Sequence, residues 1–182
     1  MSDKVLEFRD WILSLNTRRF GDIGEDMITS IFNLQDSGTL AYDKWDNVNE
    51  NRVEIKVSRV WQKNKNRIRG NSIIDAFNND SAKNRTLLST DADVSNFDCN
   101  IQQIKPSEFD FLFYALFFLD CVEIYSMSKD QVFQCAGYSD KQHRGNVGEG
   151  QFHITEKNID YHRQNFLQRV LSYSELYNLF NQ

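Results

Sequence analysis

"YDKWDNVNENRVEIKVS", residues 42–58, decides how the chain is read. In its second half Val53, Ile55 and Val57 alternate with Glu54 and Lys56, the period-two pattern of a strand with one buried face. A shorter alternating run precedes it, and the polar, Asn-rich centre between the two is a turn signal, so the stretch predicts a β-hairpin. With Val48 and Asn49 at the centre of the turn, residues whose numbers sum to 97 face one another. Asp43 then lies opposite Glu54 with Cβ atoms roughly 5 Å apart, and Lys56 points to the same face. Opposed carboxylates repel unless positive charge sits between them. A lysine two residues along helps a little, and a divalent cation helps far more. Mg²⁺ in particular favours carboxylate oxygens and retained waters. The pattern therefore points to a metal site formed by Asp43 and Glu54, with Lys56 beside it. Asp46 opposes Asn51 close to the turn and suits a turn former. A longer loop or a bulge would shift the pairing, so spacing alone leaves open which of Asp43 and Asp46 is the ligand. The alternative for all three charged residues is a solvated hairpin face with modest ion pairs.

Outward from the hairpin, residues 3–16 carry apolar side chains at helical spacing and predict a helix. "RRFGDIGEDMITSIFNL" (18–34) predicts a glycine-punctuated turn and a second helix, with Asp22 as N-cap, Glu25 completing a capping box, and Ile23, Met27, Ile28, Ile31 and Phe32 as the buried stripe. After the hairpin, "IIDAFNND" reads as a short strand or helix and residues 78–98 as loop or short helix. "FDCNIQQI" reads as a strand, and "FDFLFYALFFL" with "CVEIYSM" as one or two buried core strands. "SKDQVF" reads as a short helix, "QFHI" as a short strand, and "FLQRVLSYSELYNLF" as a closing helix. This order predicts an α/β (α+β) fold with a mixed central sheet flanked by helices.

The chain has 182 residues, 40% of them apolar and 26% charged, with a single proline. That is enough for one domain, here 1–182, with a sizeable core, and too regular for disorder. The longest apolar run, Phe111 to Leu119, is too short to span a bilayer, and the charged N-terminus lacks a signal-peptide core. Three cysteines without CxxC spacing point to a reducing, cytoplasmic protein with no membrane partner. The three histidines are not spaced like a zinc site, which disfavours a histidine-metal nuclease.

"YDKWDNVNENRVEIKVS", preceded by the "GDIGEDMITSIF" helix, resembles the active-site hairpin of the PD-(D/E)xK nuclease superfamily, in the style of the compact type II restriction endonucleases. Tyr42 stands where the motif's name has proline. The resemblance covers roughly residues 20–60. It implies a restriction-endonuclease-like core and a catalytic hairpin at about 40–57. Asp43 and Glu54 would be the acidic metal ligands and the backbone carbonyl of Ile55 a further one. Lys56 would orient the attacking water and steady charge at the phosphate. Glu25 would be either a helical acid added to the metal shell or a capping residue. On the strand after the lysine strand, Gln103 would be an additional polar residue near the centre. The implied cofactor is Mg²⁺, with Mn²⁺ substituting, and the implied products are 5′-phosphate ends. The implied partners are double-stranded DNA, a second copy of the chain in a homodimer, and a cognate DNA methyltransferase.

The chain is acidic overall, with net charge −5, yet it holds Arg59, Lys63, Lys65, Arg67 and Arg69 in a stretch free of acids. If extended, Lys63, Lys65, Arg67 and Arg69 share one face suited to phosphates. The alternative is a solvated loop. Residues 59–71 are thus one candidate DNA-contact segment. The other is 139–154, glycine-rich, with Lys141, His143, Arg144, Asn146 and Gln151 as candidates for reading base edges, or else an ordinary surface loop. The function expected is a Mg²⁺-dependent, site-specific double-stranded DNA endonuclease. The alternatives are a repair or recombination nuclease of the same fold, which a basic surface would favour, and a non-catalytic DNA-binding protein.

Overall fold

A computed structural model describes residues 2–63, 69–79, 81–141 and 148–181. Two helices open the chain, α1 (Asp3–Ser14) and α2 (Thr17–Phe32). The hairpin follows as β2 (Lys44–Asp46) and β3 (Asn51–Arg59), with the two-residue β1 (Gln35–Asp36) added along β2. Next come α3 (Ile73–Asn79), α4 (Ala82–Arg85), β4 (Cys99–Ile104), β5 (Phe111–Phe117), β6 (Cys121–Ser128) and α5 (Lys129–Gln134). The chain ends with β7 (Gly150–Ile154), α6 (Ile159–Phe166), β8 (Leu167–Ser172) and α7 (Tyr173–Phe180).

Six strands form one sheet in the order β1-β2-β3-β5-β6-β8, and β4 pairs with β7 in a separate two-stranded ribbon. The sheet is mixed: β3 and β5 run parallel and the other neighbours antiparallel. Parallel pairing demands a crossover, and the segment between β3 and β5 supplies it. The apolar run at β5 is buried on both faces. Leu112, Tyr114 and Leu116 enter one core with Ile101, Phe152 and Ile159, beneath the ribbon and α6. Ala115 and Phe117 enter the other with Ile12, Phe20, Ile28 and Leu176, beneath α1, α2 and α7. The architecture is a mixed α/β one, a mixed central sheet with helices flanking it. Among the described residues no helix is long and apolar enough to cross a membrane, and all three cysteines are buried free thiols.

Two readings are corrected. The second helix does not begin at the glycines. It runs unbroken from Thr17, its N-cap is Asn16, whose side chain accepts from the Arg19 amide, and Asp22 and Glu25 lie inside it. Gly21 stands in open space, so nothing forces a break there. Gly24 meets the sheet instead: a Cβ on it would lie 2.6 Å from Val57 Cγ1, so its hydrogen lets α2 close on β3. The closing helix is likewise two elements. Residues 167–172 form the edge strand β8 against β6, and the true helix starts at a capping box in which Ser172 and Glu175 satisfy each other's backbone amides.

Candidate active site

The hairpin has the register expected from its turn: Lys44 pairs with Val53, Trp45 with Arg52 and Asp46 with Asn51. The turn is built by Asp46. Its carboxylate accepts from the Val48 amide at 2.9 Å and from the Asn49 side chain at 2.7 Å. Asp46 is thereby engaged at the tip, away from β3's centre. β2 is shorter than its sequence pattern implies, so Asp43 sits just before it rather than in the ladder.

Alternation sorts β3. Val53 and Ile55 go into the core under α2, while Glu54 and Lys56 turn to the side covered by the ribbon. Asp43 joins them. Its Oδ2 accepts from the Ile55 amide at 2.8 Å and lies 3.7 Å from Lys56 Nζ. Lys56 Nζ also donates to Glu54 Oε1. The three expected residues therefore converge, the ammonium lying between two carboxylates. Burial pushes the Glu54 carboxyl up to about 6, Asp43 and Glu108 add to the push, and the Lys56 ammonium opposes it. The strand is anchored just upstream by Arg52, whose guanidinium and amide both donate to the Asp110 carboxylate, a pairing that holds Asp110 down at about 2.

Two clefts meet at this point. One, of about 350 Å³, is lined by the start of α2, by Glu25, Asp43 and Lys56, and by Asn100, Gln102 and Gln103 of β4. The other, of about 230 Å³, is walled by Asp43, Glu54, Lys56, Gln103, Glu108 and Glu149. Gln103 belongs to both and sits at a β-bulge with φ +59°. Glu25 lines the first cleft but ion-pairs with Lys44 at 3.0 Å. Lys44 is nearly buried on β2 and also holds Asp36. Glu25 is neither an N-cap nor part of a capping box.

Among the described residues, no group of three or more His, Cys, Asp or Glu side chains is gathered to hold a metal ion. Mg²⁺ needs less than that, because it usually keeps several waters and takes one or two carboxylates plus phosphate oxygens. Asp43 and Glu54 supply two carboxylates. The N–H and C=O of one strand residue point to the same edge. The Ile55 amide points to Asp43, beyond the last ladder pair Lys44–Val53, so its carbonyl faces that edge too. The residues fit the ion in kind.

The DNA-contact expectations divide. Lys63 is exposed and ion-pairs with Asp98 at 3.3 Å, Asp98 in turn bonding His153 Nδ1 at 2.5 Å. Arg69 and Lys141 are exposed, and Gln151 is half-buried on β7. Lys65, Arg67, His143, Arg144 and Asn146 lie outside the described residues. Arg59 does not belong to a solvated basic stripe. Its guanidinium bonds the carbonyls of Ile12 and Leu15 at the end of α1 and stacks over Phe20 at 3.8 Å. Arg59 and Arg85 both approach Trp61, so that ring packs against guanidinium groups. Sequence reading missed Glu108 and Glu149 at the second cleft and the buried Glu123–Arg163 pair, 2.9 Å apart. None of them carries a local motif.

Compared with protein-family models, curated proteins and solved structures, the chain matches none.

Proposed function

We propose that this chain is a Mg²⁺-dependent, site-specific double-stranded DNA endonuclease with a restriction-endonuclease-like core, acting as a homodimer. The observation that carries the reading is the convergence of Asp43, Glu54 and Lys56 on one face of the hairpin, at the meeting of two open clefts. In this reading Asp43, Glu54 and the Ile55 carbonyl would hold Mg²⁺, and Mn²⁺ would substitute. The bound ion supplies charge neutralisation at the phosphate and makes water more acidic. Lys56 keeps a positive charge next to the scissile phosphate and stabilises the extra negative charge of the pentacoordinate transition state. Glu54, held partly desolvated at about 6, is ionised at neutral pH and ready to meet a cation. Asp43 is oriented by its bond from the Ile55 amide. Cutting both strands of a short palindrome calls for two such sites, hence the second copy.

A non-catalytic DNA-binding protein is the second reading. It is favoured by Lys56 being satisfied by both carboxylates, which makes the trio a self-contained ion network. Incubating the protein with several unrelated plasmids in Mg²⁺, in Mn²⁺ and in EDTA, beside a Lys56→Ala variant, separates the two. Discrete fragments with 5′-phosphate ends, made only with metal and lost in the variant, support the nuclease. Intact plasmid in every arm, with folded protein, leaves the ion network.

A further inference from the structure

The β4–β7 ribbon turns one face to the core and the other outward, its β4 part lining the first cleft. Cys99, Ile101, Phe152 and Ile154 are buried, while Asn100 and Gln102 are exposed and Gln151 and His153 half-exposed. The outward residues oppose one another directly, Asn100 with His153 and Gln102 with Gln151. The bulge extends the pattern. It absorbs one extra residue, so Ile101 and Ile104 both stay in the core and Gln102 and Gln103 both face out. The outward residues of the two strands thus carry amide and imidazole groups, with Asp98 at the edge bonded to His153. Asn100, Gln102 and Gln103 line the same cleft as Asp43 and Lys56. Asn100 Nδ2 bonds Gln151 Oε1 at 3.1 Å, so the amides are held in register across the strands.

We infer that this ribbon reads base edges in the major groove and selects adenine-containing sites. The inference rests on the nuclease reading above and names the substrate of that site. The major groove admits a two-stranded ribbon, and Asn and Gln match the N6 and N7 edge of adenine with two hydrogen bonds each. Spacing agrees: same-face residues on a strand are about 6.8 Å apart, which is two base-pair steps of roughly 3.4 Å. Asn100 and Gln102 therefore address bases two steps apart on one wall of the cleft. Lys63, joined to His153 through Asp98, is the exposed cation next to the ribbon and would meet a backbone phosphate. These strands carry the readout.

The test uses a random duplex library read in two ways: duplexes retained by the protein in Ca²⁺, and ends generated in Mg²⁺. Wild type, Asn100→Ala, Gln102→Ala and Lys63→Ala are compared. The expected result is a consensus containing A·T pairs. Each amide variant relaxes it at one adenine position, losing roughly ten- to hundredfold in discrimination, whereas Lys63→Ala weakens all sequences evenly. Replacing that adenine by 7-deazaadenine penalises wild type and spares the matching variant. A consensus without A·T pairs, an unchanged consensus in both amide variants, or no preference among duplexes overturns the inference even when DNA is cut. An adenine consensus among retained duplexes that Gln102→Ala erases, with no cutting in Mg²⁺, supports the ribbon's role and overturns the nuclease reading alone.

Discussion

Glu54 carries the electrostatic signature of the site. Its folded pKa of about 6 exceeds the ordinary 4.5 because burial penalises the charged form. A carboxyl with a raised folded pKa favours folding while protonated. That contribution is present below about 4.5 and is lost as pH rises through about 6. The shift corresponds to about 2 kcal/mol at most. Glu54→Gln is therefore expected to gain stability relative to wild type as pH rises from 4.5 to 6.5, by about 1–2 kcal/mol, in urea unfolding without metal. A difference that stays flat with pH would mean that Glu54 is not desolvated. The same variant is expected to lose cleavage, so stability and activity should move in opposite directions. Much at this scale was legible beforehand. The turn centre gave the register, and the register brought Asp43, Glu54 and Lys56 together. Asp46 could be told from Asp43 only once its bonds to the turn amides were seen. The fate of Arg59 was not legible, because a basic residue that caps α1 and stacks on Phe20 looks in sequence like one that faces solvent.

Among the elements, α2 and the strand it covers set the position of the site. Gly24→Ala forces its new methyl against Val57 and is expected to destabilise by about 1–3 kcal/mol, measured by thermal or urea unfolding. No measurable change would mean the helix can slide away from β3. The basic tract gives a paired prediction. Arg59→Ala should cost about 2–3 kcal/mol of stability through the lost bonds to α1 and leave the salt dependence of DNA binding unaltered. Lys63→Ala should do the reverse, lowering the slope of log K against log salt by about 1. The terminal segment shows where periodicity misleads. Phe166, Leu167, Val170, Leu171, Leu176 and Tyr177 fit a helical stripe, and an edge strand with one buried residue, Leu171, offers no alternation to contradict it. Pairing with β6 decided the outcome. The Ser172–Glu175 box was the local sign that a helix begins only there.

At the scale of the molecule, α1, α2 and α7 cover one side of the sheet and the ribbon and α6 the other, and Glu54 and Lys56 face the latter. The order of helical and strand segments made the mixed sheet legible. Strand order was not, since the parallel pairing of β3 with β5 depends on a crossover of weakly periodic segments. Double-strand cutting predicts that a cognate duplex gains the mass of two 21.4 kDa chains in sedimentation. A bound monomer that only nicks would contradict the dimer. The most direct measurement sets Asp43→Asn beside Asp46→Asn in one plasmid cleavage assay with Mg²⁺. Asp43→Asn is expected to abolish detectable cleavage, as loss of one of the two carboxylates proposed to hold the ion should, while Asp46→Asn is expected to keep cleaving like wild type. An active Asp43→Asn, an inactive but folded Asp46→Asn, or a wild type that cuts no DNA would contradict the account.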